Sequence, residues 1–321
     1  MSHEFEFERP ILELEKRLKD LQALSEEGQI DLSREIRAIS SKIEIMKTEI
    51  FKNLEPWQVA QVARHIDRPS TLDFIKGLCG EQFVEFHGDR LFGDDTAIVA
   101  GFGRIESFPV AIIGHQKGHD TEENIYRNFG MPHPEGYRKT QRLMKLAEKF
   151  NKPLVIFIDT PGAFPGIGAE ERGQSEAIAR SIREMSRTRV PIVCVIIGEG
   201  GSGGALAVGV GDRVFMLEYS IYSVISAEGC AAILWKDAAK AKEAAQALRL
   251  RSQDLLDLGI IDGIIPEPKG GAHRNHQEIM ISVRHTICEN LPKLLSLSPE
   301  GLIEQRYQKY RSMGKFKEAQ D

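Results

Sequence analysis

The chain has 321 residues with 42 Lys and Arg against 47 Asp and Glu, a formal net charge of −5. This is long enough to bury a substantial core, and the charge gives no overall attraction to nucleic acid. Its four scattered cysteines form no CxxC pair, which excludes a zinc ribbon and a disulfide framework, and no apolar run reaches the roughly 18 residues of a membrane span.

The elements are legible in chain order. Ile11, Leu14, Leu18 and Leu21 recur at helical spacing, Gly28 breaks the pattern, and Asp31 can cap a second helix carrying Ile36, Ile39, Ile43, Met46 and Ile50. The first 55 residues therefore read as a helical hairpin, whose apolar stripe needs a surface to bury against, such as a partner subunit. Residues 56–321 read as one α/β domain closed by a polar helical tail over Ser298–Asp321. Strands are predicted at Ala97–Gly101, Val110–Gly114, Leu154–Ile158, Ile192–Ile197, Val214–Leu217, Tyr222–Ile225 and Ile260–Ile265. Helices are predicted at Pro134–Phe150, Glu171–Arg187, Gly203–Val210, Glu228–Trp235, Lys236–Leu248 and Gln277–Asn290. The recurring texture is strand, strand, helix. The acidic start Met1–Glu6 is unlike a signal peptide, so a cytoplasmic protein is expected. Cys194, inside a strand pattern, reads as inert packing.

The run Gly198-Glu199-Gly200-Gly201-Ser202-Gly203-Gly204 follows the apolar stretch Ile192–Ile197 and enters an Ala-rich helix. Backbone N–H groups at such a junction can face an anion or an oxyanion. The run also fits two other patterns. Gly198, Gly200 and Gly203 match a dinucleotide fingerprint with Glu218 about twenty residues on, and Gly200–Gly204 match GxSxG with Asp262 and His273 downstream. Tight helix-to-strand packing by small residues is the structural alternative.

A second loop weakens both matches. The strand Leu154–Ile158 ends in Asp159-Thr160-Pro161-Gly162-Ala163-Phe164-Pro165-Gly166, and a helix opens near Glu170. Two consecutive strands ending in glycine loops can line one crevice at the carboxyl edge of a sheet. The dinucleotide reading leaves the second loop without a role. Asp262 and His273 flank a Pro- and Gly-rich segment that reads as surface, so a serine hydrolase built on Ser202 lacks support. No Lys-Ser or Lys-Thr follows the glycines, which excludes a P-loop. Of the other polar residues, His115–His119 read as an exposed loop, Asp159 as holding its own turn, and Glu199 as pointing away or pairing with a basic residue such as Arg172. His273 reads as structural.

Phe157–Gly166, Gly168–Ala179, Gly198–Leu206 and Tyr222–Ala231 resemble the biotin-dependent carboxyltransferases, as do Asn128–Pro132, Pro134–Lys139 and Ile265–Arg274. Together they are similar to the alpha-subunit family of the multisubunit acetyl-CoA carboxylase carboxyltransferase of bacteria and plastids. The resemblance covers nearly the whole chain. Phe164 stands where many members carry Tyr, so a role for that hydroxyl is absent here.

The resemblance implies a crotonase-like fold of repeated ββα units. It implies transfer of a carboxyl group from carboxybiotin, borne on a biotin carboxyl carrier protein, to acetyl-CoA, giving malonyl-CoA for fatty acid biosynthesis. It implies a zinc-ribbon beta subunit as partner, usually in an α2β2 heterotetramer, together with biotin carboxylase, and no metal in this chain. Carried over residue by residue, the amides of Gly203 and Gly204 would bind the ureido oxygen of biotin. Gly162, Ala163, Phe164, Gly166, Gly201 and Ser202 would line the biotin pocket. A scaffold subunit that only organises its partner's site is the alternative from another class.

Overall fold

A computed structural model describes residues 5–26 and 31–314. The predicted hairpin is present as α1 (Arg9–Glu26) and α2 (Ser33–Lys52), with the Ser33 N–H donated to the Asp31 carboxylate at 3.1 Å. The Gly28 break and the end of the tail beyond Gly314 lie outside the described residues. Much of the stripe finds its surface within the same chain. Ile11 and Ile43 are buried in a cluster with Phe51, Val59, Ala231 and Ala244. The Arg274 guanidinium ties α1 to the body through Glu15 at 2.9 Å and the adjoining Glu8 at 3.1 Å.

Next come α3 (Pro56–Ala63), α4 (Thr71–Cys79), β1 (Val84–Glu85), β2 (Ile98–Ile105), β3 (Phe108–His115), α5 (Thr121–Tyr126), α6 (Pro134–Lys149) and β4 (Leu154–Thr160). The chain continues with α7 (Ile167–Glu171), α8 (Gln174–Arg187), β5 (Ile192–Gly201), α9 (Ser202–Leu206), β6 (Arg213–Leu217), β7 (Ile221–Ser223) and α10 (Ala227–Trp235). It closes with α11 (Ala241–Leu248), α12 (Ser252–Asp257), β8 (Gly263–Ile265), α13 (His276–Leu295) and α14 (Pro299–Arg311). The sheet order is β1-β2-β3-β4-β5-β6-β8, with β7 paired to the far end of β5. The β1–β2 and β2–β3 pairs are antiparallel, and from β3 onward all pairs are parallel.

Parallel strands covered on both faces read as continuous apolar runs, and β5 shows why. Val193, Val195 and Ile197 enter a core with α4 and α13, while Ile192, Cys194 and Ile196 enter a second core with α6 and α8. Cys194 is inert packing as expected: burial pushes its thiol up to about 12.

Several boundaries move, each for a local reason. The glycine run does not begin a loop at Gly198, because β5 continues to Gly201: Gly200 pairs with Thr160 on one side, and Glu199–Gly201 pair with β7 on the other. The helix predicted from Glu171 starts at Gln174, after Gly173 at φ +82°, and the separate short α7 precedes it. α9 stops at Leu206 rather than Val210, where Gly209 lies so close to the Tyr222 hydroxyl that a Cβ would sit 2.9 Å from it. The last strand shrinks to Gly263–Ile265 because Gly259, at φ +69°, turns the chain after α12. Four short helices escaped the reading, although Ser70 and Asp73 form a capping box that announces α4.

Candidate functional site

The carboxyl ends of β3, β4 and β5 converge, and the two glycine segments meet there backbone to backbone. After β4, the Thr160 hydroxyl donates to the Gly162 carbonyl at 2.8 Å and accepts the Gly162 N–H at 3.1 Å, closing a tight turn. A Cβ on Gly201 would lie 2.2 Å from the Pro161 oxygen, and one on Gly204 would lie 2.5 Å from the Gly162 carbonyl carbon. These two glycines are therefore demanded by the neighbouring loop. Gly203 differs: its added Cβ would meet only the Ile178 Cδ1, at an ordinary 3.5 Å.

Ser202 makes the junction between β5 and α9 in the left-handed region, at φ +50°. No side chain caps α9, so the first N–H groups of the helix have no side-chain acceptor. Ser202 is exposed and Gly203 half-buried at this opening. An open groove beside them is lined by Pro161, Val224, Ile225 and Ser226 together with the charged Arg64, Glu199 and Glu228.

The structure thus brings Gly201, Ser202, Gly203 and Gly204 together with Gly162 and Ala163. Phe164 and Gly166 lie at the outer end of the loop. The Phe164 ring stacks on His133 with centroids 4.1 Å apart, and its edge covers Gly166, whose Cβ would be 2.4 Å away. Its backbone N–H donates to the Pro132 carbonyl at 3.0 Å.

The competing patterns dissolve on geometry. Asp262 accepts the Val214 N–H at the opposite end of the sheet, and His273 stacks on His65 at 4.2 Å beside Glu8. Neither is paired with Ser202. The fingerprint acid Glu218 accepts the Glu267 N–H at 3.1 Å, and Gly198 is small because a Cβ would meet Asp159 Oδ1 at 2.7 Å and the Ala63 carbonyl at 3.0 Å.

An ion-pair chain unread in the sequence holds these strand ends. Lys117 Nζ lies 2.7 Å from Asp159 and 3.4 Å from Glu199. Arg64 joins Glu199 and Glu228, each at 2.6 Å. Burial disfavours the Glu199 carboxylate, but Lys117 and Arg64 more than offset this and hold its pKa below the usual range. Burial likewise opposes the Lys117 charge, and Asp159 and Glu199 outweigh it. A cavity of about 500 Å³ opens in front of this chain, lined in part by Trp57, Gln61, Arg64, Lys117 and Asn124.

Three expectations need correction here. Glu199 does pair with basic residues, but these are Arg64 and Lys117, whereas the suggested partner Arg172 pairs with Glu135 at 2.7 Å. Asp159 reaches across to the next strand, accepting the Glu199 N–H at 2.9 Å, instead of holding its own turn. The segment from His115 is not an exposed loop: His115 and Gln116 are buried, and the Gln116 amide oxygen accepts the Leu72 N–H at 2.9 Å. Among the described residues no group of three or more His, Cys, Asp or Glu is placed to hold a metal ion, and no helix is long and apolar enough to cross a membrane.

His119 closes the segment with an Asp73 contact at 2.8 Å and an Ile66 carbonyl contact at 2.9 Å. The Asp73 hydrogen bond is the largest influence and raises its pKa to about 9 from an ordinary 6.5. A raised folded-state pKa stabilises fully below pH 6.5, and that contribution is lost as pH rises through about 9. The ring is partly exposed, so solvent screens the effect. His119→Gln is expected to flatten the fall in Tm across this window in calorimetric scans. An unchanged slope would mean that His119 does not titrate as this contact requires.

The family model described as acetyl co-enzyme A carboxylase carboxyltransferase-like matches residues 4–314. The acetyl-coenzyme A carboxylase carboxyl transferase subunit alpha of Geobacter metallireducens is 55% identical over 98% of this chain and 99% of its own length. Its counterpart from Bacillus cereus is 56% identical over 97% of this chain and 96% of its own. Among solved structures, a transcarboxylase 12S chain is similar with a TM-score of 0.57 at 19% identity, over 81% of this chain and 46% of that one. A chain of a Pseudomonas malonate decarboxylase hetero-tetramer is similar with a TM-score of 0.59 at 16% identity, over 74% of this chain and 94% of that one. At such identities the likeness of the structures concerns the fold.

Proposed function

The chain belongs to the acetyl-CoA carboxylase carboxyltransferase alpha-subunit family, and from that premise we propose how its crotonase-like fold takes part in biotin-dependent carboxyl transfer. In this reading the chain assembles with a zinc-ribbon beta subunit and transfers the carboxyl group from carboxybiotin, presented on a carrier protein, to acetyl-CoA, forming malonyl-CoA. An α2β2 arrangement, association with biotin carboxylase and a cytoplasmic location belong to the same proposal. So does a division at residues 1–55 and 56–321, with the hairpin's exposed Leu24 and Ile45 available to a partner.

The observation that carries the site is the uncapped start of α9 against the Pro161–Ala163 turn. The reaction develops negative charge on the ureido oxygen, and donors already aimed at such a charge are worth about 3–4 kcal/mol each. The N–H groups of Gly203 and Gly204 are the donors assigned here. As first-turn amides they carry the positive end of the helix without a side chain that titrates. The residues around them fit a small heterocycle: Gly203 is open on its Cα side, and Pro161, Val224 and Ile225 are apolar neighbours of the groove. Ser202 lines the groove, Gly162 and Ala163 pack behind Gly204, Gly201 packs against Pro161, and Phe164 with Gly166 braces the outer loop through His133. Carboxybiotin would supply the carboxyl group, and its ureido nitrogen, freed when that group leaves, could accept the methyl proton of acetyl-CoA.

Co-purification with a beta subunit, followed by a carboxyl-transfer assay, tests the reading. The chain alone is expected to be inactive and the pair active. Ser202→Ala is expected to retain activity within about fivefold, since no base touches Ser202 and a nucleophilic serine would instead lose orders of magnitude. Labelling of Ser202 by a serine-hydrolase probe, or strong transfer by the chain alone, would overturn it.

A further inference from the structure

His115 is the last residue of β3 and is fully buried. Strand alternation fixes the side that it faces. Ala111 and Ile113 enter the core that also holds Ala205 of α9, whereas Gly114 faces Thr71, whose side chain leaves no room for a Cβ. The His115 side chain therefore lies beneath α9, and the Thr71 hydroxyl pins its main chain by donating to the His115 carbonyl at 2.5 Å.

There the ring meets the backbone of Gly204 and of Phe157, each acting on it as an acceptor. Among the described residues neither ring nitrogen has a hydrogen-bond partner. Gly204 presents the complementary gap. The Ala207 N–H donates to the Gly203 carbonyl at 3.0 Å and the Val208 N–H to the Ala205 carbonyl at 3.2 Å, so the helical ladder passes over the Gly204 carbonyl. Burial, and after it the nearby Lys117 charge, lowers the ring pKa to about 3 from 6.5, which leaves a neutral imidazole with one N–H to donate. A buried imidazole held without a partner is costly to the fold, so packing alone does not account for it.

We infer that His115 is a positioning residue for carboxyl transfer, whose ring N–H closes on the Gly204 carbonyl as the ureido oxygen takes the Gly204 N–H. This rests on the carboxyltransferase reading above. Hydrogen bonds of this kind are often long before a ligand binds and tighten in the reacting complex. Gly204 is already gripped from the loop side by Gly162 and Ala163, and His115 grips it from beneath. Between them the start of α9 cannot shift by the 1 Å or so that would spoil an oxyanion donor.

The test separates positioning from packing. His115→Phe keeps a buried ring and removes the donor, whereas His115→Gln keeps a donor N–H. Each variant is assembled with the beta subunit and assayed in reverse with malonyl-CoA and free biotin. There the malonyl C–C bond breaks, a C–N bond to biotin forms, and the ureido proton passes to carbon to give acetyl-CoA. For His115→Phe, kcat is expected to fall about 10- to 100-fold with both KM values within about twofold of wild type, because the bond is completed only in the transition state. Its Tm is expected to stay equal or rise, since an apolar ring replaces a buried polar one without a partner. His115→Gln is expected to recover kcat to within about fivefold of wild type. A crystal structure of the unaltered assembled enzyme with biotin bound checks the contact without any substitution, and a His115 ring nitrogen is expected within about 3.2 Å of the Gly204 carbonyl oxygen. A kcat for His115→Phe within about twofold of wild type, equal losses in both variants with a lowered Tm, or a ring that stays beyond about 3.5 Å from that oxygen with biotin bound would each overturn the inference. Failure of the wild-type pair to transfer carboxyl groups at all would instead bring down the reading beneath it, and the inference with it.

Discussion

Gly204→Ala is expected to reduce carboxyl transfer by the assembled enzyme at least about 100-fold, whereas Gly203→Ala stays within about tenfold of wild type. Both glycines are assigned as donors, and both keep their N–H as alanine, so the contrast isolates geometry. A Cβ at position 204 falls 2.5 Å from the Gly162 carbonyl carbon and 2.8 Å from the Ala163 nitrogen, both backbone atoms that cannot swing aside. The two segments must separate, and a displacement near 1 Å is enough to spoil an oxyanion donor. At position 203 the methyl meets a single side-chain carbon at 3.5 Å. Larger residues at 203, such as valine, are expected to fail through the groove rather than through the fold. Assays on the co-purified complex, with assembly checked by gel filtration, decide the matter. If assembled Gly204→Ala enzyme keeps its activity, the chain only scaffolds its partner's site.

Lys117→Met is expected to cost about 3 kcal/mol of stability, because removing one member of a largely buried pair leaves the others uncompensated. Asp159 and Glu199 are both buried and both face Lys117. Arg64 still pairs with Glu199, so the cost should fall mainly on Asp159. Asp159 also fixes the Glu199 N–H at 2.9 Å, only a few residues before the assigned amides. Carboxyl transfer is therefore expected to fall with stability. Lys117→Met combined with Asp159→Asn should recover part of the loss, since a neutral amide oxygen can still accept that N–H and needs no cation. Urea denaturation of the four proteins in the cycle measures the coupling. Strict additivity would show that Lys117 and Asp159 do not act as a pair.

The legible part of this protein is the part written in short range. Alternation and β-branched runs located the central strands, and Ile192–Ile197 read as buried on both faces because its apolar run is unbroken. The two glycine segments were legible as strand ends sharing one crevice. Their meaning was less so. The run fits several patterns because a glycine such as Gly198, Gly201 or Gly204 records only that something comes close, not what. What comes close is Asp159 and Ala63, then Pro161, then Gly162, all supplied by other parts of the chain. His119 and Lys117 looked like an exposed polar loop because pairing to Asp73, Asp159 and Glu199 leaves no local trace.

The sequence by itself therefore determined the fold class, the helical hairpin, the strand ends that carry the two glycine segments and, through long motifs in order, the family. Tertiary structure alone decided which glycines are structural, that Gly203 is the open one, and that Arg64 and Lys117 lock Glu199. The physical reason is range. Side-chain periodicity and turn chemistry act over a few residues, whereas Arg64 lies 135 residues from Glu199 and Lys117 lies 82 from it. Such contacts exist only once the parallel sheet has brought the strand ends together.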